Sequence, residues 1–318
     1  MAQEPQAALE TVRQVGEVTL ACAVHPGKFF DRSFASPLLA SGLPLVDAQQ
    51  PVKALAAFIN RRNKPFLFTA VPGDGPFNDV LAHAAQHRFV LQEWARAGLL
   101  LRGTYDAWLA ENFDHKRRKE LKRLRARLAE QGALTSESLN HVSALPDFVD
   151  NLLYLEQAGW KGARGTALQN DAADAHSFRA AAQALAAAGK LRFWQLKLNG
   201  RAIAALFAIV EGTEAWLGKI AYDENFAKYS PGTLVILDAT QSLFSEGNLT
   251  RVDSSAIPGH PMIDRIWRDR IRFQDVLVGG ADVTPLGFWL VARGLLAKQA
   301  MRGMAKTAYY QLSKRKRS

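Results

Sequence analysis

The sequence predicts an α/β protein built from two units with mixed sheets and closed by a basic C-terminal helix. Length is the first reason: 318 residues make about two domains at roughly 150 residues each. The second is the alternation of short strand-like runs with helix-periodic segments along the chain. Third, from Leu191 onward the order reads strand, strand, strand, helix, strand, helix, strand. The expected division is residues 1–104, 105–285 and 286–318.

Composition excludes several classes. With 48% hydrophobic and 22% charged residues, the balance is that of a folded chain rather than a disordered one. A single cysteine, Cys22, rules out an internal disulfide framework and a Cys-rich zinc site, and it suits a reducing cytoplasm. No metal is expected. The longest clean apolar run, Ala202–Val210, is far short of the roughly 20 residues that cross a bilayer. The first residues lack a basic segment followed by an apolar core, so a cytoplasmic location is expected, with peripheral contact at the inner membrane face as an extension of it.

The elements follow in order. Strands are expected at Val18–Val24, Phe66–Val71, Arg88–Glu93 and Gly98–Arg102, and helices at Val52–Arg62 and Phe77–Ala85. The run from Pro72 to Pro76 marks a turn. One long helix is expected over Asp106–Gln131, stopped by Gly132, then a short strand at Leu134–Glu137. Helices follow at Leu145–Ala158 and Asp174–Ala188. Three strands come next, Leu191–Leu198, Arg201–Val210 and Glu214–Ala221, the first pair joined by the hairpin signal Asn199-Gly200. A helix opens at Ser230-Pro231-Gly232 and runs to about Glu246; Thr250–Ser254, a short helix near Ile263–Arg270 and a strand over Ile271–Val278 complete the unit. No short-period repeat is visible, which leaves two similar α/β halves open.

The charge is concentrated. Residues 116–127 carry a net charge of +7 and residues 290–318 a net +8, against +10 for the whole chain, so the remainder is net acidic. Such patches favour phosphate-bearing partners. In the first, Leu121, Leu124 and Leu128 recur at helical spacing, so a solvated basic face over an apolar stripe is the plainer alternative to a patch that contacts an anionic partner. In the second, apolar residues mix with Arg293, Lys298, Arg302 and Lys306, and Lys314 to Arg317 are all basic. That pattern resembles a basic amphipathic helix at a membrane surface; the alternative is a helix packed on its own domain.

The corner at Ser230-Pro231-Gly232 carries chemistry. A helix N-terminus presents unpaired N–H groups at the positive end of its dipole and binds phosphate without charged side chains. Ser230 is a natural N-cap, Pro231 suits a first turn, and Gly232 would allow close approach of a ligand. An ordinary capped helix is the alternative.

The stretch from Lys219 to Thr233, followed by Asp253-Ser254-Ser255 and by His260 to Trp267 with Arg270, resembles the CelD/BcsL-type acetyltransferases of the GNAT superfamily. Trp160-Lys161 and Leu191–Val210 share the likeness, which covers about residues 105–280. It implies a GNAT fold, with two tandem GNAT-like units, and acyl transfer from acetyl-CoA or another acyl-CoA. It also suggests kinship with the Fem-type transferases, which use aminoacyl-tRNA. The segment Lys228–Thr233 has one glycine where the usual GNAT phosphate loop has two small residues, and Pro231 removes one donor.

On this resemblance, the strand Trp216–Ala221 would hold the pantetheine arm, and Tyr229, Ser230, Gly232 and Thr233 the pyrophosphate, with Lys228 adding charge. Asp253, at a strand end, is a candidate base, or else a cap bonding Ser255. His260, in a Pro-flanked loop, is a second candidate for proton transfer, or else a structural histidine. Lys219 and Asp223 either pair with each other or contact the donor and acceptor. Trp160, Lys161, Arg265 and Arg270 are the remaining substrate-binding candidates, Trp160-Lys161 preceding the glycine-rich segment Gly162–Gly165 that could close over an acceptor. Trp267 is expected in the core. Three functions follow: an acyl-CoA-dependent transferase acting on a sugar, polysaccharide precursor or lipid-linked acceptor; a Fem-like aminoacyl-tRNA-dependent transferase; and a non-catalytic scaffold held at a membrane by residues 290–318.

Overall fold

The computed structural model describes residues 8–14, 17–25, 27–33, 45–46 and 49–315, with side chains described from residue 27 onward except in 34–48, 160–161 and 305–315. The chain begins with strands β1 (Ala8–Gln14), β2 (Glu17–His25), β3 (Asp31–Ser33) and β4 (Leu45–Val46), then helix α1 (Pro51–Asn60), β5 (Phe66–Pro72), α2 (Pro76–Ala84) and β6 (His87–Leu100). Helices α3 (Tyr105–Asn112) and α4 (His115–Ala129) lead to β7 (Leu134–Ser138), α5 (Leu145–Ala158), the short α6 (Trp160–Ala163) and α7 (Ala172–Ala187). The next run is β8 (Leu191–Leu198), β9 (Arg201–Glu211), β10 (Glu214–Tyr222), α8 (Pro231–Ser245) and β11 (Arg251–Asp253). Finally come β12 (Asp269–Gly279) and α9 (Pro285–Arg315).

Two compact units result, 1–95 with 272–318, and 96–271. This differs from the expected division, which kept residues 272–285 in the second unit and made 286–318 a separate segment; both stretches belong to the first unit. Helix α9 is part of the first unit because Phe288 and Ala292 are fully buried in a cluster with Leu67 and Leu277. Its apolar residues also occupy more than one face, so its described part is not a one-sided amphipathic helix.

In the first unit the strand order is β1-β2-β3-β5-β12-β6, with β4 beside β2. Helix α1 packs Leu55, Phe58 and Ile59 onto Phe66, Phe68 and Val71 of β5. Strand β6 replaces two expected strands. Trp94, in the supposed gap, stacks on Phe273 of β12 with centroids 4.9 Å apart, so the segment stays extended. Strand β5 is irregular on its edge with β12. Val71 of β5 pairs with Gln274 and Phe68 with Val276, so Thr69 and Ala70 together face Asp275 in a bulge. On its other edge β5 runs parallel to β3 at Asp31–Phe66 and Arg32–Leu67. Beyond that, the Thr69 N–H donates to the Ser33 hydroxyl at 3.0 Å instead of to backbone.

The second unit has the order β6-β11-β10-β9-β8-β7. Its sheet is covered on one face by α3, α4 and α8, where Trp108, Leu121, Leu128 and Leu234 join Trp194, Leu206 and Val252. On the other face Phe148 of α5 and Phe178 of α7 meet Phe193 and Phe207. Both faces of β9 are therefore buried, which explains its nearly unbroken apolar run. The hairpin at Asn199-Gly200 has positive φ at both positions, 49° and 77°, as a type I′ turn requires. The expected single helix over 106–131 is two helices. Phe113 turns extended and is buried, and Asp114 caps α4 by accepting the Arg117 N–H at 2.6 Å. Along α4, Leu121, Leu124 and Leu128 are buried while Lys116, Arg117, Lys119, Lys122, Arg123 and Arg127 face solvent.

Candidate active site

The site is built on β10. Toward β9 its register slips: Leu217 pairs with Ala208 but Ile220 with Leu206, so one extra residue is inserted at Gly218-Lys219. Toward β11 the parallel pairing covers only Glu214–Arg251, Ala215–Val252 and Trp216–Asp253. There β11 ends, and β10 continues to Tyr222. The ladder to β11 thus ends where the bulge begins, and Leu217–Tyr222 of β10 have no β11 partner among the described residues. Glycine is required at 218, since a Cβ there would lie 2.1 Å from the Phe207 ring.

The bulge directs Lys219 at α5. Its Nζ donates to Glu156 Oε1 at 2.7 Å, and Glu156 Oε2 accepts the Leu168 N–H at 3.0 Å. The two side chains are 13% and 1% exposed, so this is a buried ion pair. The expected alternatives for Lys219, pairing with Asp223 or contacting a ligand, are replaced by Glu156. Asp223 instead caps the short turn Glu224–Tyr229, accepting from Asn225 N at 3.0 Å and Asn225 Nδ2 at 2.8 Å, and it meets Arg201 at 3.5 Å.

Asp253 sits where the strands part and is 4% exposed. Arg96 grips it with a two-point fork, Nε to Oδ1 and Nη2 to Oδ2, each 2.6 Å. Oδ1 also accepts the Ser255 N–H at 2.9 Å, and Ser255 has φ of 51°. To act as a base, this carboxylate would have to give up charge-assisted bonds, so its geometry is that of a positioning group. His260 is half-buried, and its Nδ1 faces the N–H groups of Met262 and Ile263 at 3.3 and 3.4 Å. A ring nitrogen facing two donors acts as acceptor, which leaves the proton on Nε2. His260 Nδ1 is thus engaged with backbone of its own loop.

At the helix corner Ser230 lies in the left-handed region, φ 55°, and its side chain makes no cap bond; its carbonyl accepts from Thr233 N and Leu234 N at 3.0 and 3.1 Å. Pro231, Gly232 and Thr233 are buried. A Cβ on Gly232 would lie 3.0 Å from Tyr222 Cδ1 and 3.3 Å from Met262 Sδ. The missing side chain therefore makes room for protein, which corrects the expectation that it makes room for a ligand. Tyr229 is in the core, while Lys228 is exposed with Nζ 4.9 Å from the Tyr229 ring centroid.

Arg265 is exposed. Arg270 folds onto the carbonyls of Trp267, Arg268 and Asp269 at 3.0–3.1 Å and meets Asp264 at 3.3 Å. Trp267 is fully buried, its indole N–H on Thr240 Oγ1 at 3.1 Å. Trp160 and Lys161 start α6, but their side chains lie outside the described residues. The segment after them is a tight turn, with Gly162 N bonded to Gly159 O at 3.0 Å, rather than an open loop.

Glu156 and Arg96 were missed in the sequence. Glu156 was detectable, because it falls on the stripe Leu145, Phe148, Val149, Leu152 and Leu155 that α5 buries. A carboxylate on such a stripe needs a partner. Arg96 fell between two strands read as separate.

A strand that leaves its parallel neighbour at a bulge, followed by a Pro-led helix, in a mixed sheet covered on both faces, is the arrangement of a GNAT fold. Residues 115–258 match the model of the Acetyltransferase (GNAT) domain. No curated protein matches the chain. Among solved structures, the C-terminal domain (DUF2156) of a putative lysylphosphatidylglycerol synthetase from Agrobacterium fabrum is 14% identical over 92% of this chain and 88% of that one, with a TM-score of 0.57. A conserved protein of unknown function from Bacteroides thetaiotaomicron VPI-5482 is 12% identical over 82% and 83%, TM-score 0.52. FemX is 11% identical over 90% and 91%, TM-score 0.51. At these identities the likeness is one of fold.

Proposed function

We propose that the second unit moves an acyl group from acyl-CoA, acetyl-CoA in the simplest case, to an amine or hydroxyl of a sugar, polysaccharide precursor or lipid-linked acceptor, in the manner of the CelD/BcsL-type enzymes. The parting of β10 from β11 at Trp216, with the bulge that follows, is the observation that carries this reading. An N–H on the free edge of β10 would polarise the thioester carbonyl. The acceptor attacks that carbon, the C–S bond breaks, and the proton lost by the acceptor passes to the departing sulfur, directly or through water, so that CoA leaves as its thiol. With Asp253 held by Arg96, holding both reactants in place supplies more of the rate than any single base. Asp253 and Arg96 would fix the splayed strand end, and Lys219–Glu156 the bulge. Lys228, with the backbone from Tyr229 through Thr233, would meet the pyrophosphate. His260 Nε2–H, Trp160, Lys161, Asp223, Arg265 and Arg270 would face the acceptor side.

Hydrogen exchange with and without acetyl-CoA and longer acyl-CoAs tests this. Binding should slow exchange of the amides of residues 217–222 and raise the melting temperature. No acyl-CoA producing either effect would overturn the reading. A second reading, an aminoacyl-tRNA donor, is favoured by the solvated basic face of α4. It predicts tRNA binding that weakens steeply with salt and is lost on replacing Lys119, Lys122 and Arg123 by Glu.

A further inference from the structure

The first unit repeats a backbone feature of the second. Its β5 repeats the backbone arrangement of β10: an antiparallel neighbour on one edge, a parallel neighbour whose last pair is Leu67, and a bulge two residues later at Thr69-Ala70. In β10 the last parallel pair is Trp216 and the bulge follows at Gly218-Lys219. Beside the β5 bulge opens a cavity of about 790 Å³, with Leu67, Thr69 and Asp275 in its lining.

The chemistry of this cavity differs from that at β10. Ala70 is held at φ 56°, its N–H on Asp275 Oδ1 at 3.0 Å. The same carboxylate accepts Trp94 Nε1 at 3.3 Å and Gln92 Nε2 at 2.6 Å, all neutral donors. Asp275 is thus engaged in the wall. The other charged lining groups are cations, among them Lys28, Lys298 and Arg302. None of these three makes an ion pair among the described residues. Phe30, Leu91 and Leu295 supply apolar surface. The site therefore offers several cations over a greasy wall, which suits a phosphate carried on an apolar group.

Helix α9 indicates where such a ligand comes from. One face packs Phe288, Val291, Ala292 and Leu295 on the core, and one turn further the same face brings Lys298, Gln299 and Arg302 to the cavity. The opposite face exposes Leu286, Trp289, Leu290, Leu296, Met301 and Met304, of which Leu286 is 72% and Met304 64% exposed. These six fall on one side at helical spacing. An apolar stripe of this size on a segment with eight basic and no acidic residues over 290–318 complements an anionic bilayer surface. No helix of the described residues is long and apolar enough to cross a membrane, so the stripe would lie on the surface.

We infer that α9 seats the first unit on an anionic phospholipid surface and that the cavity beside β5 receives the phosphate headgroup of a lipid-borne ligand. That this ligand is also the acyl acceptor rests on the acyl-transfer reading; the binding itself does not. Vesicle flotation uses phosphatidylcholine with and without phosphatidylglycerol, and calorimetry uses dihexanoyl-phosphatidylglycerol below its micellar concentration, inorganic phosphate and acetyl-CoA. The wild-type chain should float only with phosphatidylglycerol and bind the short-chain lipid saturably. The double variant Lys298→Gln/Arg302→Gln should weaken the short-chain lipid by roughly tenfold or more. Leu290→Ser/Met304→Ser, altering exposed positions alone, should lose flotation and keep short-chain binding. Circular dichroism and the acetyl-CoA melting shift, unchanged in all variants, separate this result from misfolding and from failure of the acyl-transfer reading. Equal flotation with pure phosphatidylcholine, short-chain binding unaffected by the Lys298/Arg302 change, inorganic phosphate binding as tightly as the lipid, or two acetyl-CoA molecules bound per chain would each overturn the inference.

Discussion

The pair Lys219–Glu156 offers the sharpest energetic test, because its two partners respond differently to removal. Lys219→Met removes the ion-pair partner on Oε1 of Glu156, which is 1% exposed. Breaking a buried pair from one side costs about 3–5 kcal/mol, because the other charge stays buried. Glu156→Leu strands the Lys219 ammonium instead. That side chain is 13% exposed and can move its charge toward water along its stem, so the cost is smaller, about 1.5–3 kcal/mol. The double change removes both charges, and apolar replacement of a whole buried pair is often nearly neutral. The double variant should therefore be more stable than Lys219→Met alone, with a coupling of at least about 2 kcal/mol. Hydrogen exchange of the β9 amides in urea reports the second unit by itself and is the suitable assay. Losses that add to within about 0.5 kcal/mol would refute the argument, since they would mean that the two groups do not depend on each other.

Four more outcomes follow from individual contacts. Gly218→Ala places a methyl in the Phe207 ring and should cost about 1–3 kcal/mol, read as a lower melting temperature, with weaker acyl-CoA protection of residues 217–222. Asp253→Asn should lower stability by about 3–5 kcal/mol through loss of its ion pair with Arg96, yet leave the shape of the pH profile of kcat/KM unchanged; loss of its acid limb would show that Asp253 is a base after all. Burial, with the nearby Asp238 carboxylate, pushes the Tyr105 phenol up to about 12, so its stabilising contribution is complete below the ordinary tyrosine pKa and is lost as pH rises from there through the folded value; spectrophotometric titration of Tyr105→Phe should lack the last ionisation. The Gln195 amide, assisted by Lys197, holds the Asp147 carboxyl below the usual range, so its contribution is present above the unfolded aspartate pKa of about 3.9 and lost as pH falls through the folded one; Asp147→Asn should flatten the acid side of the stability curve.

Most of the second unit was legible because its signals are local. The type I′ hairpin at Asn199-Gly200, the boundaries of α5 and the burial of Trp267 each follow from residues close in sequence. The errors fall where tertiary contact outweighs local pattern. Trp94 keeps β6 extended by stacking on a strand nearly two hundred residues away in the chain. The break between α3 and α4 needed Asp114 to be recognised as a cap inside what looked like one periodic run. Gly232 was assigned to a ligand because glycine signals close approach without saying what approaches. In the folded chain Tyr222 and Met262 do.

The repeated arrangement of β5 and β10 was hidden for a physical reason. What recurs is a backbone path, and many residues can follow it. At β10 the bulge is secured by a missing side chain, Gly218 under the Phe207 ring, and by the ion pair of Lys219 with Glu156. At β5 it is secured by a carboxylate, Asp275, that collects neutral donors around Ala70. The loop between bulge and Pro-led helix also differs in length: Ala70 is followed by Pro76, whereas Lys219 is followed by Pro231. No fixed period survives such a change. The divergence also separates the two sites chemically. The β10 bulge is held by a matched pair of charges, as would suit the proposed transfer site, where charge must develop during reaction. The β5 cavity engages Asp275 with neutral donors and carries Lys28, Lys298 and Arg302, as would suit the proposed anion site. If the two copies retain one ancestral function, exchanging Ala70 for Lys should create an acyl-CoA site in the first unit. If they have diverged as their charges indicate, that variant should bind one acyl-CoA per chain, the number proposed for the wild type, and this is the outcome expected.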